Sequence, residues 1–112
     1  MYKVSFFTPK SRASPVEEFL DACEESLRTK ILRQLKYAEE FGLTQSVPSL
    51  KKLTRTPLWE LRILGKDNIR ILCTALPEKE IKILHIFKKK SQKIPQKEIR
   101  IAINRYKEIL DK

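Results

Sequence analysis

LWELRILGKDNIRILCTALPEKEIKILHIFKKK, residues 58–90, decides the reading of this chain, because it contains three strands in succession. Trp59, Leu61 and Ile63 alternate with Glu60 and Arg62; Ile69, Ile71 and Cys73 alternate with Arg70, Leu72 and Thr74. A period of two marks a strand with one face in a core. Facing residues of an antiparallel ladder share a face. The two apolar sets therefore meet in one core only if the loop around Gly65, Lys66, Asp67 and Asn68 holds an odd number of residues, three or five. Arg62 then lies opposite Arg70, or one diagonal step away, on the face turned from that core. Like charges so placed cost ~0.2–1 kcal/mol, which an anion gripped by both guanidinium groups would offset. The next loop, Pro77 to Glu80, is expected to pair Leu76 with Ile81, Cys73 with Leu84 and Ile71 with Ile86. Leu84 joins Trp59, Ile71 and Cys73 in the core on this register, while His85, opposite Leu72, and Phe87, opposite Arg70, join the arginine face.

The flanking segments supply the rest of the fold. YKVSFFT, residues 2–8, is β-branched and aromatic and stops at Pro9, as a strand would. Ser14, Pro15 and Glu17 form a helix start, with Ser14 as N-cap, Pro15 at the first helical position and Glu17 set for a capping box. Val16, Phe19, Leu20, Cys23 and Leu27 make one apolar stripe; Ile31, Leu32, Leu35, Ala38 and Phe41 make a second, closed by Gly42 and Leu43 in the pattern of a Schellman stop. The phase shift near Ser26–Thr29 predicts a helical hairpin. Residues 44–57 read as a loop with KKL as a short strand, placing Lys51, Lys52 and Arg55 as a basic rim. Pro95 to Leu110 is an amphipathic helix, expected on an edge of the sheet or partly displaced from it. This order describes one α+β domain over residues 1–112, a mostly antiparallel twisted sheet with the hairpin on one face and a C-terminal helix.

Composition narrows the function. The net charge is +10, yet residues 1–50 hold seven basic and seven acidic residues, while residues 51–112 hold seventeen and seven. Solubility alone needs no such segregation, so a polyanionic partner is expected, nucleic acid or an acidic protein. No apolar run reaches the ~18 residues of a membrane span, and MYKVSFFTPKSR lacks a signal peptide's apolar core. A cytoplasmic protein without a membrane partner is expected. Its two cysteines sit in apolar patterns as reduced thiols. Two glycines leave no phosphate-cradling loop, and one histidine with no paired cysteines leaves no zinc set. Neither a metal nor a small-molecule cofactor is expected.

A basic sheet face carrying a carboxylate, an imidazole and an aromatic ring suits metal-free RNA cleavage, in which the ribose 2′-hydroxyl attacks the adjacent phosphate. Arg62 and Arg70 are placed to hold that phosphate. Glu60 or His85 is the candidate base, and His85 or one of Lys88, Lys89 and Lys90 the candidate acid. Phe87 is a candidate platform for an unpaired base, and Lys51, Lys52, Lys89, Lys90 and Lys93 are candidate RNA contacts. The competing readings keep Glu60 as an ion-pair partner of the arginines and His85 and Phe87 as core residues. Alanine at position 62 or 70 is expected to leave the fold intact and abolish activity.

LWELR (58–62), NIRIL (68–72) and above all LHIFKKKSQKIPQKEIRIAINRYKE (84–108) resemble the phage-derived HigB-like branch of the RelE/ParE toxin superfamily. The resemblance runs from the first strand to the last helix. It implies a microbial-RNase-like fold and the toxin of a bacterial type II toxin–antitoxin pair, an endoribonuclease that cuts messenger RNA on translating ribosomes. Its implied partner is an antitoxin with a helix-turn-helix domain. By resemblance, Arg62 and Arg70 match the family's basic strand residues, His85 and Phe87 its H-x-F, and Lys88, Lys89 and Lys90 its basic strand end. ParE-like members of the superfamily poison DNA gyrase instead, which makes gyrase inhibition the second expectation and a non-catalytic nucleic-acid-binding module the third.

Overall fold

In a computed structural model, which describes residues 1–111, five strands form one mixed sheet in the order β1-β5-β4-β3-β2. These are β1 (Lys3–Phe6), β2 (Leu50–Lys52), β3 (Trp59–Ile63), β4 (Ile69–Leu76) and β5 (Glu80–Lys88). All neighbours are antiparallel except β1, which runs parallel to β5 at the edge. The loop between β3 and β4 holds five residues, Leu64 to Asn68, so Leu61 faces Ile71 and Arg62 faces Arg70 directly.

The second hairpin departs from the expected register. Its turn holds three residues, Pro77 to Lys79, and pairs Leu76 with Glu80 and Cys73 with Ile83. Glu78 and Lys79 both take positive φ, 63° and 58°, which tightens the turn. The residue lost from the loop reappears as a bulge, with Leu84 as the extra residue opposite the Leu72–Cys73 step. Beyond it, Leu72–His85, Ile71–Ile86 and Arg70–Phe87 pair as expected. Leu84 therefore leaves the face of Ile71 and Cys73 and turns to the other side together with His85.

That other side is a second core. Helices α1 (Pro15–Ala22) and α2 (Glu25–Phe41) cover one face, where Val16, Leu20, Ile31, Leu35 and Ala38 pack on Leu61, Ile63, Ile71, Cys73, Ile83 and Ile86, with Trp59 at the margin. Helix α3 (Gln96–Leu110) covers the opposite face rather than an edge, with Ala102, Ile99, Ile103 and Tyr106 on Leu58, Leu72, Leu84, Phe87 and Phe7. Alternation along β4, Ile71 to one cluster and Leu72 to the other, is what makes β4 buried on both faces. Among the described residues no helix is long and apolar enough to cross a membrane.

The helix ends follow local chemistry. Ser14 Oγ accepts from Glu17 N at 3.3 Å as the N-cap and donates to Phe7 O at 2.7 Å, tying α1 to the end of β1. Because Ser14 is buried, Ser14→Ala removes the cap and leaves the Phe7 carbonyl without this donor. We expect a loss of about 1–2 kcal/mol, read as a fall of about 4–8 °C per kcal/mol in the thermal midpoint. The break between α1 and α2 falls at Cys23 and Glu24, both extended, earlier than the phase shift implied. Gly42 ends α2 with φ 73° but ψ −167°, so the stop is not the left-handed Schellman geometry. A Cβ there would sit 2.6 Å from the Tyr2 ring, so the position admits only glycine.

Candidate nucleic-acid interface

Arg62 and Arg70 face one another at the end of the sheet, but their surroundings differ. The Arg70 side chain is nearly buried; its Nε lies 3.5 Å from Glu60 Oε2, and its Nη1 donates to Ile69 O at 3.1 Å. Glu60 is 2 % exposed. Arg62 is exposed. The paired arginines are thus tolerated partly because a buried carboxylate balances one of them, so the pairing alone does not demand a ligand. Arg62, Lys89 and Lys90 form none of the ion pairs found among the described residues.

Around them the chain forms an open cleft of about 520 Å³ lined by Arg62, Asn68, Arg70, Lys89, Lys90, Ser91 and Gln92. Four lining residues are cationic and none is a carboxylate. A concave surface lined by one sign of charge concentrates anions of the opposite sign. Asn68 fastens this segment: Lys89 N donates to Asn68 O at 2.9 Å, and Asn68 Nδ2 donates to Lys89 O at 2.6 Å. Asn68, Ser91 and Gln92 were not among the sequence candidates. The signal for Asn68 was its place at the end of the β3–β4 loop, where asparagine tolerates the left-handed backbone found there, φ 53°.

The other sequence candidates lie outside the cleft. Lys88 faces Ile69 across the ladder and projects beside Phe19, Cys23 and Leu27 on the α1 side, because side chains alternate along β5. Phe87 is 6 % exposed beneath α3, so its ring offers no platform to a base. Lys51 stands opposite Glu60 on the edge strand, exposed. Lys52 lies over the Trp59 ring, 5.9 Å from its centroid, and donates to the Thr56 carbonyl. Lys93 is exposed, its carbonyl accepting from Ser91 Oγ at 2.7 Å.

His85 is held elsewhere by both ring nitrogens. Arg105 Nη1 donates to Nδ1 at 3.3 Å and to Leu84 O at 2.7 Å, which leaves Nε2–H to donate to Glu98 Oε1 at 2.7 Å. The ring stacks on Phe87 with centroids 5.3 Å apart. The bulge aims His85 at α3, and the network pins that helix to β5. Both ring nitrogens are engaged within the protein, the arrangement of a satisfied structural histidine. Burial lowers its pKa from the ordinary 6.5, the hydrogen bond to Glu98 opposes that, and the Arg105 charge lowers it further. The folded chain then binds the proton less readily than the unfolded chain. Stability from this group is complete above the ordinary value and falls as pH drops through it. We expect the thermal midpoint to fall more steeply in the parent than in His85→Gln between about pH 7.5 and 5.5. Equal slopes in a melting series would refute this account of His85.

Burial pushes the Cys73 pKa up to about 12 and raises that of Cys23, which disfavours the thiolate at both.

Comparison with known proteins follows this geometry. The family model described as Phage derived protein Gp49-like (DUF891) matches residues 18–107. The fold is similar to a solved structure of the E. coli toxin RelE, a doubly substituted mutant in the free state, with TM-score 0.66 and 14% identity over 93% of this chain and 96% of that one. No curated protein sequence matches the chain.

Proposed function

Since the chain belongs to the family of phage-derived Gp49-like proteins, we propose that it is the toxin of a type II toxin–antitoxin pair, a metal-independent endoribonuclease acting on messenger RNA. The observation that carries this reading is the cleft, four cations with no carboxylate among its lining residues, at the open end of a sheet that shares its fold with a toxin. In the proposed reaction the 2′-hydroxyl gives up its proton to solvent water as its oxygen attacks phosphorus, the bond to O5′ breaks, and a 2′,3′-cyclic phosphate and a 5′-hydroxyl result. Arg62 reaches the phosphate from the exposed side. Arg70, oriented by Glu60 and by Ile69 O, meets it from the floor. Together they balance the charge that grows on the phosphoryl oxygens. Lys89 or Lys90 protonates the leaving O5′. Glu60, behind Arg70, orients that guanidinium rather than acting as a base.

This protein would work in the cytoplasm on translating ribosomes and be neutralised by an antitoxin with a helix-turn-helix domain. Primer extension on translated messages after induced expression tests the reading. Cuts within messages, with arrested growth, are expected. Gyrase-dependent DNA breaks without cuts would replace it with gyrase inhibition, and RNA binding with neither effect would leave a non-catalytic binding module.

A further inference from the structure

We infer that Asn68 is a positioning residue of the cationic cleft, clamping the backbone of Lys89 so that Lys89 and Lys90 meet the phosphates of a single-stranded RNA; this rests on the reading of the cleft as an RNA site. The backbone N–H of Asn68 is committed to the turn, donating to Gly65 O at 3.3 Å, and its φ of 53° turns that group away from β5. The chain therefore cannot continue the β4–β5 ladder past Ile69–Lys88 with its own amide. The side chain substitutes for it. Nδ2 donates to Lys89 O at 2.6 Å while Asn68 O accepts from Lys89 N at 2.9 Å, so both backbone polar groups of Lys89 are held.

Lys89 is where the chain leaves β5 and enters the run Lys89 to Gln92, all of which lines the cleft. Asparagine meets two demands at once here. It accepts the left-handed backbone at little cost, and it carries a donor of the right length. Glycine satisfies the first demand only, aspartate lacks the donor, and alanine fails both. Ordering this segment before RNA arrives removes part of the entropy otherwise lost on binding.

The test is equilibrium binding of a single-stranded oligoribonucleotide to the full chain across a salt series. Asn68→Gly is expected to weaken binding on the order of 10-fold and to lower the slope of log K against log salt by about 0.7–1.4, the loss of one or two phosphate contacts on a single strand. Asn68→Asp is expected to lose at least as much. In a Lys89→Ala/Lys90→Ala background, Asn68→Gly should change the slope no further, because the lysines through which it acts are gone. A role confined to stability would lower the melting temperature and leave the slope unchanged, and that result would overturn the proposal. So would a further drop in the lysine-free background, which would mean that Asn68 touches RNA itself. A parent protein that binds no oligoribonucleotide would overturn the RNA reading first and this role with it, an outcome distinct from a parent that binds and a variant that binds equally well.

Discussion

Arg62→Ala is expected to lower RNA cleavage by about 100-fold or more, the scale on which removing one preorganised donor to a developing oxyanion reduces turnover. The same change should move the thermal midpoint by no more than about 4 °C, since exposed positions without buried partners contribute within about 0.5 kcal/mol. Arg62 qualifies on both grounds: it is exposed, it lines the cleft, and it forms none of the ion pairs found among the described residues. Arg62→Lys should recover part of the binding but little of the rate, because an ammonium cannot hold two phosphoryl oxygens in one plane. Single-turnover cleavage of a defined RNA alongside a melting curve checks both halves. Full activity in the alanine variant would remove Arg62 from the site.

Arg70→Ala is expected to behave differently from its neighbour, contrary to the sequence-based expectation that both substitutions spare the fold. Truncation leaves Glu60, 2 % exposed, without its only nearby cation among the described ion pairs. Breaking a buried pair from one side costs on the order of 3 kcal/mol, which for a chain of this size corresponds to a fall of roughly 12–24 °C in the midpoint. Adding Glu60→Gln to Arg70→Ala removes the stranded charge and should return much of the lost stability. Cleavage should remain lost in the double variant, because the floor of the cleft still lacks its guanidinium. If Arg70→Ala alone melted like the parent, the pair would not be a structural element. If the double variant cleaved RNA, Arg70 would not hold the phosphate.

The legibility of the chain followed the range of the interactions involved. The first hairpin was readable because parity alone constrains it: with the loop length odd, Arg62 and Arg70 had to share a face. The second hairpin differs from the periodicity-based register by one residue before the bulge and agrees with it beyond Leu72, because the shorter turn and the bulge at Leu84 cancel. Propensity does not distinguish a four-residue loop from a three-residue turn plus a bulge. The packing of Leu84 under α3 does. His85 and Phe87 were placed on the correct face, yet α3 covers that part of it, so one became a helix anchor and the other a core residue. Lys88 and Lys89, adjacent in sequence, ended on opposite sides of the sheet.

By itself the sequence determined the local and the periodic. The Ser14 cap, the stop at Gly42, the strand alternation of residues 59–74 and the segregation of basic charge into the second half all follow from interactions a few residues long or from composition. Only the tertiary structure decided which basic residues line one cleft. An amphipathic helix carries no record of which apolar face it will cover, and α3 settled on the face of Leu72 and Phe87 instead of an edge. That choice withdrew His85 and Phe87 and left Arg62, Arg70, Asn68, Lys89 and Lys90 around the cleft at the end of the sheet. Burial of apolar surface, summed over the whole molecule, selects such an arrangement, and no short stretch of the chain contains that sum.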